Sequence, residues 1–274
     1  MRGIPTALKS FPEPELLIVL TRRQVLQGAA VATGGVAGFG GYALAEPWQL
    51  AVTRYRVEPR NWPTGLHLRV AVIADLHVCE PWMGVDRLHR IVEATNALAP
   101  DVVLLLGDYR AGHRMLRMAR KVPDRVWARA LAGFKAPHGI HAVLGNHDWW
   151  DQPELQITRK GPTSARVALE DAGVPVYEND VVRLVKNGQP FWIAGLGDQW
   201  AFWRPAGMVV APKRPIKHEG VHDLSGTLAK ITDRAPVILM AHEPDIFPEV
   251  PDRVALTVSG HTHGGQVRMF GYAP

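Results

Sequence analysis

Cysteine is almost absent. Cys79 stands alone among 274 residues, so no disulfide can form within the chain and no second thiol is present for redox chemistry. It reads as a small, half-buried side chain without a chemical role. Any excess of one charge sign is small too, with 31 Lys and Arg against 26 Asp and Glu. The formal net charge is +5, and Arg2, Lys9, Arg22 and Arg23 against Glu13 and Glu15 place two of those five charges before residue 46. The rest of the chain lacks the clustered Lys/Arg stripes of a polyanion binder, so no nucleic acid partner is expected, although anionic substrates are tolerated. Internal repeats, low-complexity tracts and an interdomain linker are also missing. With 47% hydrophobic and 21% charged residues, the composition fits one globular domain. An H-x-H-x-D-H block is absent, which excludes a metallo-β-lactamase-type hydrolase.

What is present begins with an address. Thr21-Arg22-Arg23-Gln24-Val25-Leu26 puts paired arginines before a weakly apolar, Gly- and Ala-rich stretch from Val25 to Leu44, and Ala43-Leu44-Ala45 precedes Glu46. This resembles a twin-arginine export signal with an A-x-A cleavage site. Residues 1–45 are therefore read as a signal segment and 46–274 as the domain. The expected partner is the twin-arginine export machinery, and the expected location is the periplasm or the outer face of the inner membrane. An uncleaved anchor is the alternative, since about 20 residues just span a bilayer. Its glycines make a poor permanent span.

From Leu68 onward, Val/Ile/Leu-rich runs alternate with amphipathic stretches, as buried strands alternate with covering helices. Leu68 to Ala74, Asp101 to Leu106 and Gly139 to Leu144 read as strands, with helices over Val85 to Leu98 and Val126 to Phe134. Val181 to Val185 and Phe191 to Ala194 flank Asn187-Gly188, a dipeptide suited to a tight hairpin. Val237 to Met240 and Val254 to Val258 are again short buried strands. The order predicts an α/β fold with parallel or mixed sheets covered by helices. Pro205 to Pro215 reads as a surface loop.

Every strand outside the hairpin runs into a polar block: Asp75-Leu76-His77, Gly107-Asp108, Gly145-Asn146-His147-Asp148, Ala241-His242-Glu243 and Gly260-His261-Thr262-His263. Loops at the carboxyl ends of strands are where α/β folds place their sites, so these distant residues are expected in one crevice. Mixed carboxylate, imidazole and amide oxygen suit Zn, Mn, Fe or Co rather than Ca or Mg. Seven such ligands exceed one tetrahedral site and fit two ions sharing a carboxylate. The other seven histidines (His67, His89, His113, His138, His141, His218 and His222) read as surface or core residues.

The ordered set D-x-H, G-D, G-N-H-D, H, G-H-x-H resembles the calcineurin-like metallophosphoesterase superfamily, from Asp75 to His263. The paired arginines, Gly145 to Trp150 and the G-H-T-H-G-G-Q block ending at Gln266 resemble its bacterial exported phosphodiesterases. The resemblance implies a four-layer α/β/β/α sandwich of mixed sheets. It implies that Asp75, His77 and His263 hold one divalent ion, that Asn146, His242 and His261 hold a second, and that Asp108 bridges them. A metal-bridging hydroxide would attack phosphorus, His147 would face the leaving oxygen, and Asp148 would orient His147. Gly107, Gly145 and Gly260 are expected at sharp strand-to-loop bends.

The substrate implied is a small-molecule or lipid phosphate ester, with contact at the membrane surface a further expectation. Trp149-Trp150 and Trp200, Phe202 and Trp203 suggest a pocket for an apolar leaving group, with Arg204 or Lys213 for a second charge. A lipid-linked pyrophosphate like UDP-diacylglucosamine is the alternative substrate. Tyr109, beside Asp108, leaves a Tyr-ligated metal site open. Family members generally continue past the last histidine block, whereas Pro274 lies 11 residues after His263. The expectation is that strands completing the second sheet are missing, and an inactive metal-binding fragment is therefore the alternative to an enzyme.

Overall fold

A computed structural model describes residues 49–112, 118–203 and 218–264. The chain divides into two compact units, Met1–Ala51 and Val52–Pro274, and all that follows concerns the second. The expected signal segment, the Pro205–Pro215 loop, His113, Arg204, Lys213 and Gln266 lie outside the described residues. Among the described residues no helix is long and apolar enough to cross a membrane.

In chain order the elements are β1 (Val70–Ile73), β2 (Cys79–Glu80), α1 (Val85–Ala97), β3 (Val102–Leu105), β4 (Arg120–Lys121), α2 (Asp124–Leu131) and β5 (Ile140–Ala142). Then come α3 (Asn146–Trp150), α4 (Pro153–Thr158), α5 (Ser164–Asp171), β6 (Asp180–Lys186), β7 (Gln189–Gly195) and β8 (Phe202–Trp203). The last are β9 (His218–Glu219), α6 (Leu224–Ala229), β10 (Val237–Met240), a 3₁₀ turn (Pro244–Glu249) and β11 (Leu256–Val258).

Two sheets carry the molecule. The first, in the order β1-β3-β5, is wholly parallel. The second, β11-β10-β7-β6, is mixed: β10 is parallel to both neighbours, and β6 and β7 form the antiparallel hairpin expected at Asn187-Gly188. Both turn residues have positive φ, 51° and 78°, which suits a type I′ turn.

Side-chain alternation divides the core between the layers. In β3, Val102 and Leu104 face the second sheet, where they meet Phe191 and Ile193 of β7 and Ile238 and Met240 of β10. Val103 and Leu105 face the opposite way and pack with Leu88 of α1, Trp127 and Leu131 of α2 and Leu169 of α5. On the outer face of the second sheet, Trp192, Val237 and Leu239 meet Leu224 and Ile246. Strands buried on both faces read as continuous apolar runs, which is why β3 and β10 were the plainest in the sequence. The result is the four-layer α/β/β/α arrangement expected from the sequence.

Two local readings change. Cys79 is completely buried, and burial raises its thiol pKa, so it is inert packing rather than half-exposed. Tyr109 is also core: it stacks on Trp127 at 5.3 Å and its single hydroxyl proton is shared between the carbonyls of Val143 (2.9 Å) and Leu105 (3.2 Å). A phenol committed to backbone carbonyls is not a metal ligand.

Candidate metal centre

The five polar blocks follow β1, β3, β5, β10 and β11, so the parallel registers carry them to the same ends of their sheets. Their backbones turn sharply there. Asp75, His77, Asp108, His261 and His263 all have φ between 43° and 68°, the left-handed region that non-glycine residues enter at a cost of about 1–3 kcal/mol each. Such strain persists only where the surroundings impose it. The glycines act in two ways. Gly107 has φ +94° and needs its freedom. Gly145, at φ −116°, does not; it is there because a Cβ would collide with Asp108 Oδ1 and His242 Cε1. A sharp bend was expected at Gly145, and close approach replaces it as the reason.

All seven expected ligands converge. Asp75, His77 and His263 form one trio and Asp108, His242 and His261 another, each with ligand atoms within 4.8 Å of one another. Asp108 Oδ2 stands between them, 3.6 Å from His77 Nε2 and 3.3 Å from His242 Nε2. Asn146 joins the second trio through its Oδ1, 2.9 Å from His261 Nδ1. His77 Nε2 and His263 Nε2 approach to 3.0 Å. The His261 backbone N–H donates to both oxygens of Asp75, at 2.9 and 3.0 Å, which ties the β1 loop to the β11 loop.

The donor set asks for a cation. His77 Nδ1 lies 3.0 Å from the Arg110 carbonyl and His242 Nδ1 lies 2.6 Å from the Leu106 carbonyl. A carbonyl only accepts, so both Nδ1 atoms carry hydrogen, and in its neutral form each ring would turn the lone pair of Nε2 toward the Asp108 carboxylate. Lone pairs aimed at a carboxylate repel unless positive charge lies between them. Nε2 of His242 is buried with no hydrogen-bond partner. Burial opposes charge on both His242 and Asp108, yet each favours the ionised form of the other, holding the imidazole well above its usual range and the carboxyl well below its own. A divalent ion meets the same field without that buried proton.

His147 is the second residue of α3, and its backbone N–H donates to Asp108 Oδ1 at 2.8 Å, leaving Oδ2 for the cluster. Its ring is perpendicular to His77 at 5.0 Å and within reach of His77 and Asp108, so it faces the space the ligands enclose. Burial lowers its pKa, partly offset by Asp108. Asp148 is placed otherwise than expected. Its carboxylate accepts from the backbone N–H groups of Asp108 and Gly145 (both 3.0 Å), Tyr109 (3.1 Å) and Arg110 (3.4 Å). The expected orienting bond to His147 is not among these; Asp148 instead pins the β3 loop to the β5 loop.

Two features escaped the sequence. Asp198 and Glu243 form a buried carboxyl pair near His242, and burial together with the Glu243 charge raises the Asp198 pKa well above the usual range. Glu243 Oε2 accepts from the Gln199 N–H at 3.1 Å, and Asp198 Oδ1 from the Trp200 N–H at 2.8 Å, so the pair fixes the loop carrying Trp200. The second is His218, read as an ordinary histidine. It lies among Trp150, Trp200 and Trp203, and Trp200 in turn is edge-on to His261 at 4.6 Å. No spacing in the sequence connects His218 to the histidine blocks. The tryptophans divide: Trp149 is core against Phe202, whereas Trp150 turns toward His147.

Comparison with known proteins gives the geometry its relatives. Residues 68–265 match the family model described as calcineurin-like phosphoesterase. The metallophosphoesterase YkuE of Bacillus subtilis is 27% identical over 270 residues, covering 93% of this chain and 81% of that protein. The phosphodiesterase YaeI of Escherichia coli is 25% identical over 252 residues, covering 92% of this chain and 80% of that one. The UDP-2,3-diacylglucosamine pyrophosphatase LpxG of Chlamydia trachomatis is 26% identical over 252 residues, 82% of this chain and 72% of its own length.

Proposed function

The chain belongs to the calcineurin-like phosphoesterase family, a metal-dependent group of phosphoester hydrolases, and from that membership we propose a two-metal phosphodiesterase acting on an exported or membrane-borne ester. One observation carries the two-metal reading: Asp108 Oδ2 stands between the two ligand trios, 3.6 Å from His77 Nε2 and 3.3 Å from His242 Nε2. Asp75, His77 and His263 would hold one ion, Asn146, His242 and His261 the other, and Asp108 both. The ions would supply electrophilic activation of the phosphate and a nucleophile from water near neutral pH. No side chain need attack phosphorus.

His147 faces the enclosed space with a pKa lowered by burial. A neutral ring there takes the proton that the reaction releases or, once protonated, returns one to the leaving alkoxide. Asp148 acts at a distance from the ester by holding the loops of Asp108 and Asn146 in register. Twin arginines at Arg22-Arg23 support export in the folded state, with the domain delivered to the periplasm or the outer face of the inner membrane. A lipid-linked pyrophosphate is the second substrate reading, favoured by the aromatic wall of Trp150, Trp200 and Trp203 and by the similarity to LpxG.

Purified full-length protein loaded with Mn²⁺ is expected to hydrolyse bis-p-nitrophenyl phosphate faster than mono-p-nitrophenyl phosphate. Asp108→Ala should fall to the uncatalysed background, and mass spectrometry should find two ions per wild-type chain. Equal turnover by the variant sinks the enzyme reading, and one ion in a fully active protein sinks the two-metal one. Lysine in place of Arg22 and Arg23 should leave the chain in the cytoplasmic fraction.

A further inference from the structure

His218 occupies a position that packing alone does not explain. At the start of β9, its ring lies parallel to that of Trp200 (4.7 Å, 12°) and nearly so to that of Trp150 (5.3 Å, 24°). Trp203, its partner in the β8–β9 pair, meets it at 5.0 Å. Trp200 reaches His261 at 4.6 Å, and Trp150 reaches His147 at 5.3 Å. His218 is therefore one indole away from the candidate ligand His261 on one side and from His147 on the other. The stack is braced, because Trp150 Nε1 donates to the Trp200 carbonyl at 2.7 Å and Trp200 is itself tied to Asp198 at 2.8 Å.

The ring has one unmet nitrogen. His218 Nδ1 is buried and makes no hydrogen bond. An orphaned buried N–H is costlier and rarer than an under-used acceptor, so the neutral ring keeps its proton on Nε2. Burial also lowers the pKa, which favours the neutral ring. The residue is only partly buried and Nε2 is not among the buried unpartnered atoms, which leaves Nε2–H as the donor available to a ligand. An aromatic stack with one available N–H beside a phosphoester site has the chemistry of a substrate subsite: a flat apolar surface and a single oriented donor.

We propose that His218 contacts the substrate, its Nε2–H donating to an oxygen of the bound ester while Trp150 and Trp200 hold the ring and offer an apolar wall to the esterified group. This rests on the phosphoesterase reading and deepens it. The substrate class it selects is an ester whose alcohol is aromatic or otherwise apolar. A pure packing role would be met equally by phenylalanine, which keeps a flat ring and lacks the donor.

The test compares wild type, His218→Phe and His218→Gln as full-length, Mn²⁺-loaded proteins. With bis-p-nitrophenyl phosphate, His218→Phe should raise KM about tenfold, the loss of one hydrogen bond, with kcat and metal content unchanged. His218→Gln, which restores an N–H, should recover part of the loss. Calorimetric titration with phenylphosphonate, which is not hydrolysed, should show the same ranking, and methylphosphonate should bind wild type more weakly. Wild-type KM and phenylphosphonate affinity in His218→Phe overturn the proposal, as does a KM rise matched by loss of metal. If wild type hydrolyses no ester, the phosphoesterase reading fails by itself and the titration decides. Tighter phenylphosphonate binding by wild type than by His218→Phe then sustains the contact, and equal or absent binding overturns it.

Discussion

Both carboxylate oxygens of Asp148 point at backbone nitrogens, which makes this residue a test of how the site is held rather than of how it reacts. Asparagine would keep the shape but offer one oxygen and an NH₂ group to the donors of Asp108, Tyr109, Arg110 and Gly145. At least one buried N–H then faces another donor, at a cost of about 1–3 kcal/mol. Asp148→Asn is expected to lose about that much stability in urea unfolding done with chelator, where no metal contributes, and to bind Mn²⁺ about 10–100-fold more weakly. Unchanged metal-free stability would show that the four bonds are not the residue's contribution. Gly145→Ala tests the neighbouring constraint: its methyl would strike Asp108 Oδ1 and His242 Cε1, so the variant should keep its circular dichroism yet lose tight Mn²⁺ binding. Candidate ligands were legible in the sequence because they combine metal-binding chemistry with regular placement after strands. The work of Asp148 was not legible, since its partners are backbone N–H groups, which every residue but proline carries.

Elements were readable where burial imposes a period. β1, β3, β5, β7, β10 and α1 were foreseen to within a few residues because their apolar runs fill layers on one or both faces. The short ribbons β2–β4 and β8–β9 were not, because two residues carry no period and their register comes from tertiary pairing. α5 was missed for a related reason: eight residues give one buried stripe, Ala165, Ala168 and Leu169, too small to distinguish from a loop. Asp233 shows how an unpatterned residue can still secure elements. It accepts from Arg183 Nε of β6 and Trp192 Nε1 of β7, both at 2.8 Å, and from the Ala235 N–H at 2.9 Å. The Trp192 bond, followed by the Arg183 pair, pulls its pKa down to about 2. A folded-state pKa below the unfolded value of about 3.9 gives stability that is fully present above the latter and lost as pH falls through the former. Asp233→Asn should therefore unfold more easily than wild type at pH 6, with the difference shrinking between about pH 4 and pH 2. A difference that stays constant down to pH 2 would rule out the charge as its source.

Across the domain, the ligands come from both sheets. Asp75, His77, Asp108 and Asn146 follow strands of the parallel sheet, and His242, His261 and His263 follow strands of the mixed one. Behind them the sheets meet through an apolar layer of Leu104, Leu106, Phe191, Ile238 and Met240. At the rim the joint is electrostatic. The contacts Asp108–His242, His77–His263 and His261–Asn146 each link one sheet to the other, and all three converge on the candidate metal centre. Metal binding is therefore expected to stabilise the sheet-to-sheet joint. An ion that binds only the folded chain adds about 2.7 kcal/mol at a free concentration one hundredfold above Kd, and each further tenfold adds about 1.4 kcal/mol. Chelation should lower Tm, Mn²⁺ should raise it steadily with the logarithm of its concentration, and Asp108→Ala should show neither response. Hydrogen exchange locates the effect. Protection should rise in the segments leaving β1, β3, β10 and β11, and stay constant in β6 and at the Asn187-Gly188 turn, which stand apart from the ligands. If metal instead protected only the loops of the parallel sheet, the bridging place of Asp108 would be lost, and with it the argument that one centre joins the two sheets.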